Sequence, residues 1–132
     1  MTDLHYLVLS AALTWIMLMA ASLSRTRSWT MAGMLLSFGN RDDLPAPSPM
    51  SARADRAARN MVENLLLFAV VVLAARLAGA PPQTLARGAA IFFWARVAYF
   101  IVYVAGIPYL RTAVWAVALG GLMMIAAPVM MR

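Results

Sequence analysis

The stretch SARADRAARNMVENLLLFAVVVLAARLA, residues 51–78, joins a charged head to a long apolar tail. From Leu65 to Ala75 no side chain is polar. Ser51, preceded by Pro49, is read as the N-cap, and Gly79 with Pro81 and Pro82 ends the run. As one helix these 28 residues reach about 42 Å at ~1.5 Å per residue, more than a hydrocarbon core of ~30 Å. The two turns from Ala52 to Arg59 should therefore project toward head groups or water.

Three further apolar runs flank this one, at about residues 4–24, 85–104 and 110–128. Arg25 and Arg27 stop the first. Thr84 can cap the third, Gly106-Ile107-Pro108 breaks the chain, and the fourth ends near Pro128. Between the first two runs lies a long polar connection, about 25–50, whose alternating prolines cannot be helix interior. Its part Trp29–Phe38 is apolar enough to extend the first helix or to lie at an interface. The chain is 64% hydrophobic and 12% charged, with mean hydropathy +0.77, where soluble domains carry about 25% charged residues. So little polar surface cannot cover a water-facing globule. The expectation is an all-α membrane protein, one domain over 1–132 built as a four-transmembrane-helix bundle. The N-terminal run has no basic n-region and is followed by arginines, which reads as a retained span rather than a signal peptide.

Several chemistries drop out. There is no cysteine, so disulfides, zinc thiolates and cysteine nucleophiles are excluded. His5 is the lone histidine, which leaves no Ser-His-Asp set, and no metal site is expected. Asp42 and Asp43 are read as solvated loop charges. The net charge is +6 and every basic residue is arginine. These arginines flank or enter apolar helices instead of alternating with exposed aromatics, so no nucleic-acid partner is expected. Arg25, Arg27, Arg41, Arg53, Arg56, Arg59 and Arg111 fall on one side; Arg76, Arg87 and Arg132 fall on the other. The positive-inside rule then places the long loop in the cytoplasm and both termini outside.

Positions 53, 56, 60, 63 and 67 follow spacings of three and four, one face of a helix. Arg53, Arg56, Asn60 and Glu63 thus form a stripe running into the apolar zone, with Arg59 at its edge. The third helix carries Arg96, Tyr99 and Tyr103 at the same spacing. Arg96 lies midway along its span, where a charge costs from about 2.5 kcal/mol upward. Glu63 is the acidic residue placed inside a span to meet it, and Arg111 begins the fourth helix in the same layer. Converging guanidinium groups suit a ligand with two or more carboxylates, with Glu63 and Asn60 free to take its ammonium or amide. A tripeptide such as glutathione has these groups, and a neighbouring arginine turns its thiol into a thiolate nucleophile. Positive-inside anchoring accounts for Arg53, Arg25 and Arg27 taken singly.

At these residues the sequence resembles the MAPEG family, the membrane-associated proteins in eicosanoid and glutathione metabolism. The stretch Arg56-Ala57-Ala58-Arg59-Asn60-Met61-Val62-Glu63-Asn64, ending in Phe68, is similar to the family's second-helix pattern. Ala95-Arg96 through Tyr103, then Gly106-Ile107-Pro108 and Arg111-Thr112, resembles its third-to-fourth-helix pattern. The resemblance covers nearly the whole chain and implies a bacterial-type member in an inner membrane. It implies a homotrimer with glutathione bound between subunits, and conjugation, peroxide reduction or isomerisation of lipophilic substrates. Carried over by position, Arg56, Arg59, Asn60, Glu63, Arg96, Tyr99 and Tyr103 would hold glutathione, with Arg25 supplied by a neighbouring subunit. Arg111, with Thr112, would stabilise the thiolate. Thr112 stands where some members have Ser, Tyr99 where some have His, and Trp115 where some enzymes have Tyr.

The family also contains a non-enzymatic lipid-binding protein. A glutathione transferase or peroxidase and a non-catalytic lipid-binding or scaffold protein are therefore both compatible with these residues. A small transporter subunit fits less well, because broken helices and inverted repeats are missing.

Overall fold

The computed structural model describes residues 1–131. It has five helices: α1 (Asp3–Thr26), α2 (Met31–Phe38), α3 (Pro49–Leu77), α4 (Pro82–Ala105) and α5 (Leu110–Met130). Four of them, α1, α3, α4 and α5, are long and apolar enough to cross a membrane. Much of their outer surface is apolar and exposed, Leu66 and Leu77 among it. In water such a surface would be untenable, and in lipid it costs nothing. The chain is an integral membrane protein with a four-span helical bundle.

Two helices start earlier than the sequence pattern placed them. The cap of α3 is Ser48, whose hydroxyl accepts the Ser51 backbone N–H at 3.1 Å. Ser51 lies inside the first turn, buried, its own hydroxyl without a partner among the described residues. The helix α4 starts at Pro82 after Pro81, so Thr84 is likewise a first-turn residue and not the cap. The physical reason is shared: Pro49 and Pro82 occupy first-turn positions where a missing N–H removes no bond and a fixed φ favours the helix. At the far end α5 runs through Pro128 to Met130.

The connection after α1 is not wholly irregular. Arg27 closes α1 in the left-handed region, and Thr30 caps the separate short helix α2 through the Gly33 N–H at 3.0 Å. The segment Trp29–Phe38 is thus neither a continuation of α1 nor featureless loop.

Two contacts fix which ends of the bundle lie together. Asp3 at the start of α1 binds Arg76 at the end of α3, and Arg53 at the start of α3 donates to the Val104 carbonyl at the end of α4 (3.0 Å). The long connection and the α4–α5 turn therefore share one end, which also carries most of the arginines. Inside, Phe68 stacks on Phe92 with ring centroids 4.1 Å apart. The helices α4 and α5 meet at Gly88 and Gly121: a Cβ on either would lie 2.7 Å from the other's carbonyl oxygen. Gly121 thus serves a crossing within the chain, while the space above Gly120 is open.

Candidate functional site

The site is built where α3, α4 and α5 come together near the shared-loop end. Arg96 is its foundation. Its side chain is fully buried, at 0% exposure. One N–H, Nη2, donates to Asn60 Oδ1 at 2.7 Å; Nε donates to the Met61 sulfur at 3.4 Å. The guanidinium carbon sits 4.4 Å from the centre of the Tyr99 ring. Nη1 has no partner among the described residues. Glu63 was the expected counter-charge, and it does not fill that role: it is exposed, and Arg96 turns to Asn60 instead. A fully buried guanidinium is thereby satisfied by neutral groups only, which leaves most of its desolvation cost unrecovered.

Tyr99 leads on to Tyr103, the ring centroids 5.3 Å apart. Tyr103 is a meeting point. Its hydroxyl accepts from Arg56 Nε at 3.4 Å, and the Arg111 guanidinium stands 5.2 Å from its ring centre. Arg56, Arg96 and Arg111, from three different spans, are linked through this aromatic pair. A cavity of about 200 Å³ opens between Asn60, Tyr99, Arg111, Thr112 and Trp115. Both residues that engage the front of Arg96, Asn60 and Tyr99, belong to its wall.

Arg25 and Arg59 lie elsewhere. Arg59 pairs with Asp55 one turn earlier, and Arg25 donates to the Pro45 carbonyl. With Arg56 and Ser51 they border a second hollow of about 340 Å³ between the end of α1 and the start of α3. Only Arg56 touches both groups: it binds Tyr103 on one side and lines the second hollow on the other. The bundle therefore presents two separate arginine-bearing surfaces at one end. Among the described residues no group of three or more His, Cys, Asp or Glu is placed to hold a metal.

Met61 escaped the sequence pattern, while Trp115 and Arg53, both singled out there, have contacts that it did not show. Met61 is a sulfur acceptor for Arg96, indistinguishable in sequence from the other methionines. Trp115 stands in the cavity wall. Arg53 ties α3 to the end of α4, its guanidinium 3.2 Å from where a Cβ on Gly106 would sit.

This distribution of arginine, asparagine and tyrosine over three spans lies within a region matched by one family's sequence model. That model, described as the MAPEG family, covers residues 4–130. The chain belongs to the MAPEG family. MAPEG membership makes it a membrane protein of the glutathione and eicosanoid metabolism group. No curated protein matches the chain.

Proposed function

We propose that the protein is a glutathione-dependent transferase or peroxidase acting on lipophilic electrophiles or hydroperoxides. The observation that carries this reading is Arg96: a wholly buried cation with an unpartnered N–H, behind a polar cavity that Arg111 also borders. Such a cavity favours an anion, and a ligand with several carboxylates and a thiol is the one MAPEG proteins are associated with. Glutathione, when bound, supplies the sulfur that forms the new bond to the electrophile.

The chain's own groups divide the work. Asn60 and Tyr99, on the cavity wall, bind the polar body of the tripeptide, Arg96 stands behind them and supplies positive charge, and Tyr103 orients Arg56, which adds a charge at the rim. Arg111 faces the reacting sulfur and favours its deprotonated form; Thr112 donates a hydroxyl beside it. At about 200 Å³ the cavity is smaller than the ~300–1,000 Å³ usual for ligand pockets. This supports a homotrimer in which a neighbour's surface completes it. The second hollow, with Arg25 and Arg59, is the surface suited to do so. Glu63, exposed on α3, then takes the ligand's ammonium group. The second substrate enters from the bilayer between α1 and α5 of adjacent subunits. By charge the loop end is cytoplasmic, the termini face outward, and the membrane is a bacterial inner membrane.

The test is thiolate absorbance in the ultraviolet on adding glutathione to purified protein, with conjugation of a general electrophile followed alongside. Arg111→Ala is expected to remove the absorbance and to slow conjugation on the order of 100-fold. Unchanged absorbance and rate in that variant would overturn the role of Arg111. Protection of the wild-type protein from heat by glutathione, without any thiolate signal, would instead make it the non-catalytic binding member.

A further inference from the structure

The corner between α1 and α2 is a built structure away from the proposed site. Three hydroxyls lock it: Thr26 with Ser28 at 2.6 Å, and Ser37 donating to Thr26 at 2.7 Å. Gly33 allows the approach, since a Cβ there would lie 2.2 Å from the Arg27 carbonyl oxygen. A side chain at this point would push α2 off the end of α1. What the corner holds out is apolar: Trp29, Met31, Leu35 and Phe38 are all exposed, Phe38 at 86%. An eight-residue helix this apolar would not persist in water on its own.

A cleft of about 350 Å³ lies in the angle. Its apolar wall is Met19 and Leu23 of α1 with Met34 and Phe38 of α2. At its polar end Arg41 donates to Ser22 Oγ at 3.2 Å and to the Ser37 carbonyl from Nε and Nη2. Met19 lies seven residues before Thr26, about 10 Å further into the span. The cleft thus runs from a cation at the end of a membrane helix to hydrocarbon along its outer face. Asp42 and Asp43 follow Arg41 in the chain and form no part of the lining.

We propose that this corner is a lipid site, with α2 lying in the membrane interface and the cleft seating one anionic phospholipid. Arg41 faces the phosphate and its added negative group; one acyl chain follows Leu23 to Met19 between α1 and α2. The occupant follows from the placement. The cleft continues into a surface that lipid already covers, and its single cation stands at head-group depth. Trp29, one residue before the cap of α2, is the residue type that favours that depth, and anionic head groups attract a basic residue there. The site shares no residue with the proposed glutathione cavity and stands without that reading.

The experiment uses detergent-purified full-length protein, incubated with phosphatidylglycerol or phosphatidylcholine of the same acyl chains, with bound lipid counted by native mass spectrometry. The wild-type protein should retain phosphatidylglycerol preferentially. Arg41→Gln should lower that retention on the order of five-fold, the share of one arginine near an anionic head group. Met34→Trp, which fills the cleft, should lower retention of both lipids. Arg87→Gln, at the opposite end of the bundle, should change neither. Equal retention of the two lipids by the wild-type protein overturns the proposal. So does unchanged retention in Arg41→Gln, or an equal loss in Arg87→Gln, which would mean diffuse charge and no site.

Discussion

Arg76 and Arg96 are both tied to another span, and they are treated in opposite ways. Arg76 finds a carboxylate: Nη1 donates to both oxygens of Asp3 at 2.8 and 3.0 Å. There the acid is buried and the arginine is half exposed, 3% against 45% by side chain. Arg96 is fully buried and, among the described residues, finds no acid, only an amide oxygen, a thioether and an aromatic face. The first arrangement is complete as it stands: charge meets charge, and the guanidinium keeps water on one side. The second carries a net charge that no acid among the described residues cancels. A protein selected for stability alone would replace such a residue with a hydrocarbon. The difference separates an ion pair that fastens two helices from a buried cation that the described residues leave without a counter-charge.

The largest effect should come from removing that cation. Arg96→Leu is expected to weaken glutathione binding about 100-fold, through loss of the charge behind the cavity and of the charge-assisted bond that fixes Asn60 in its wall. Its thermal stability should be unchanged or higher, because a buried charge is exchanged for packing. Calorimetric titration with glutathione and a melting curve in the same detergent read both. Loss of stability with binding intact would make Arg96 structural glue to Asn60 and erase the contrast. Asp3→Asn probes the other arm, with the opposite pattern expected. It should cost roughly 1 kcal/mol of stability, since Arg76 is free to turn to water, and leave glutathione affinity alone. A change in affinity there would mean the two ends of the bundle communicate.

Much of the fold was legible because a bilayer imposes its own length scale. Four apolar runs near twenty residues, separated by proline, glycine and arginine, leave few alternatives. The finer features were lost for particular reasons. Ser51 looks like a cap, yet Pro49 at the first helical position moves the start forward. Trp29–Phe38 reads as extension or interface, because three serine and threonine hydroxyls that close its corner are separated in sequence and joined only in space. The pairing of Arg96 with Glu63 failed on angle. At about 100° per residue, Glu63 and Asn60 stand roughly 60° apart on α3. Asn60, Met61 and Phe68 turn toward α4, which puts Glu63 on the outer edge of the same stripe. Spacing shows which residues share a broad face; it does not show which edge of that face the next helix covers.

The smallest expected effect sharpens the contrast most. Tyr103 joins two arginines by different means: its hydroxyl accepts from Arg56 at a long 3.4 Å, while its ring faces Arg111. Tyr103→Phe keeps the ring and removes the acceptor. A hydrogen bond of that length contributes about 0.5–1 kcal/mol, so glutathione affinity should fall only two- to five-fold. The thiolate absorbance should persist, because Arg111 loses nothing. The variant therefore distinguishes two organisations of the same residues. If the hydroxyl merely steers Arg56, affinity moves slightly and the sulfur is untouched. If thiolate absorbance collapses as in Arg111→Ala, the phenol and not the guanidinium governs the sulfur. Charge waiting at Arg96 would then be coupled to reactivity through the tyrosine pair, and not through the cavity that Arg111 borders.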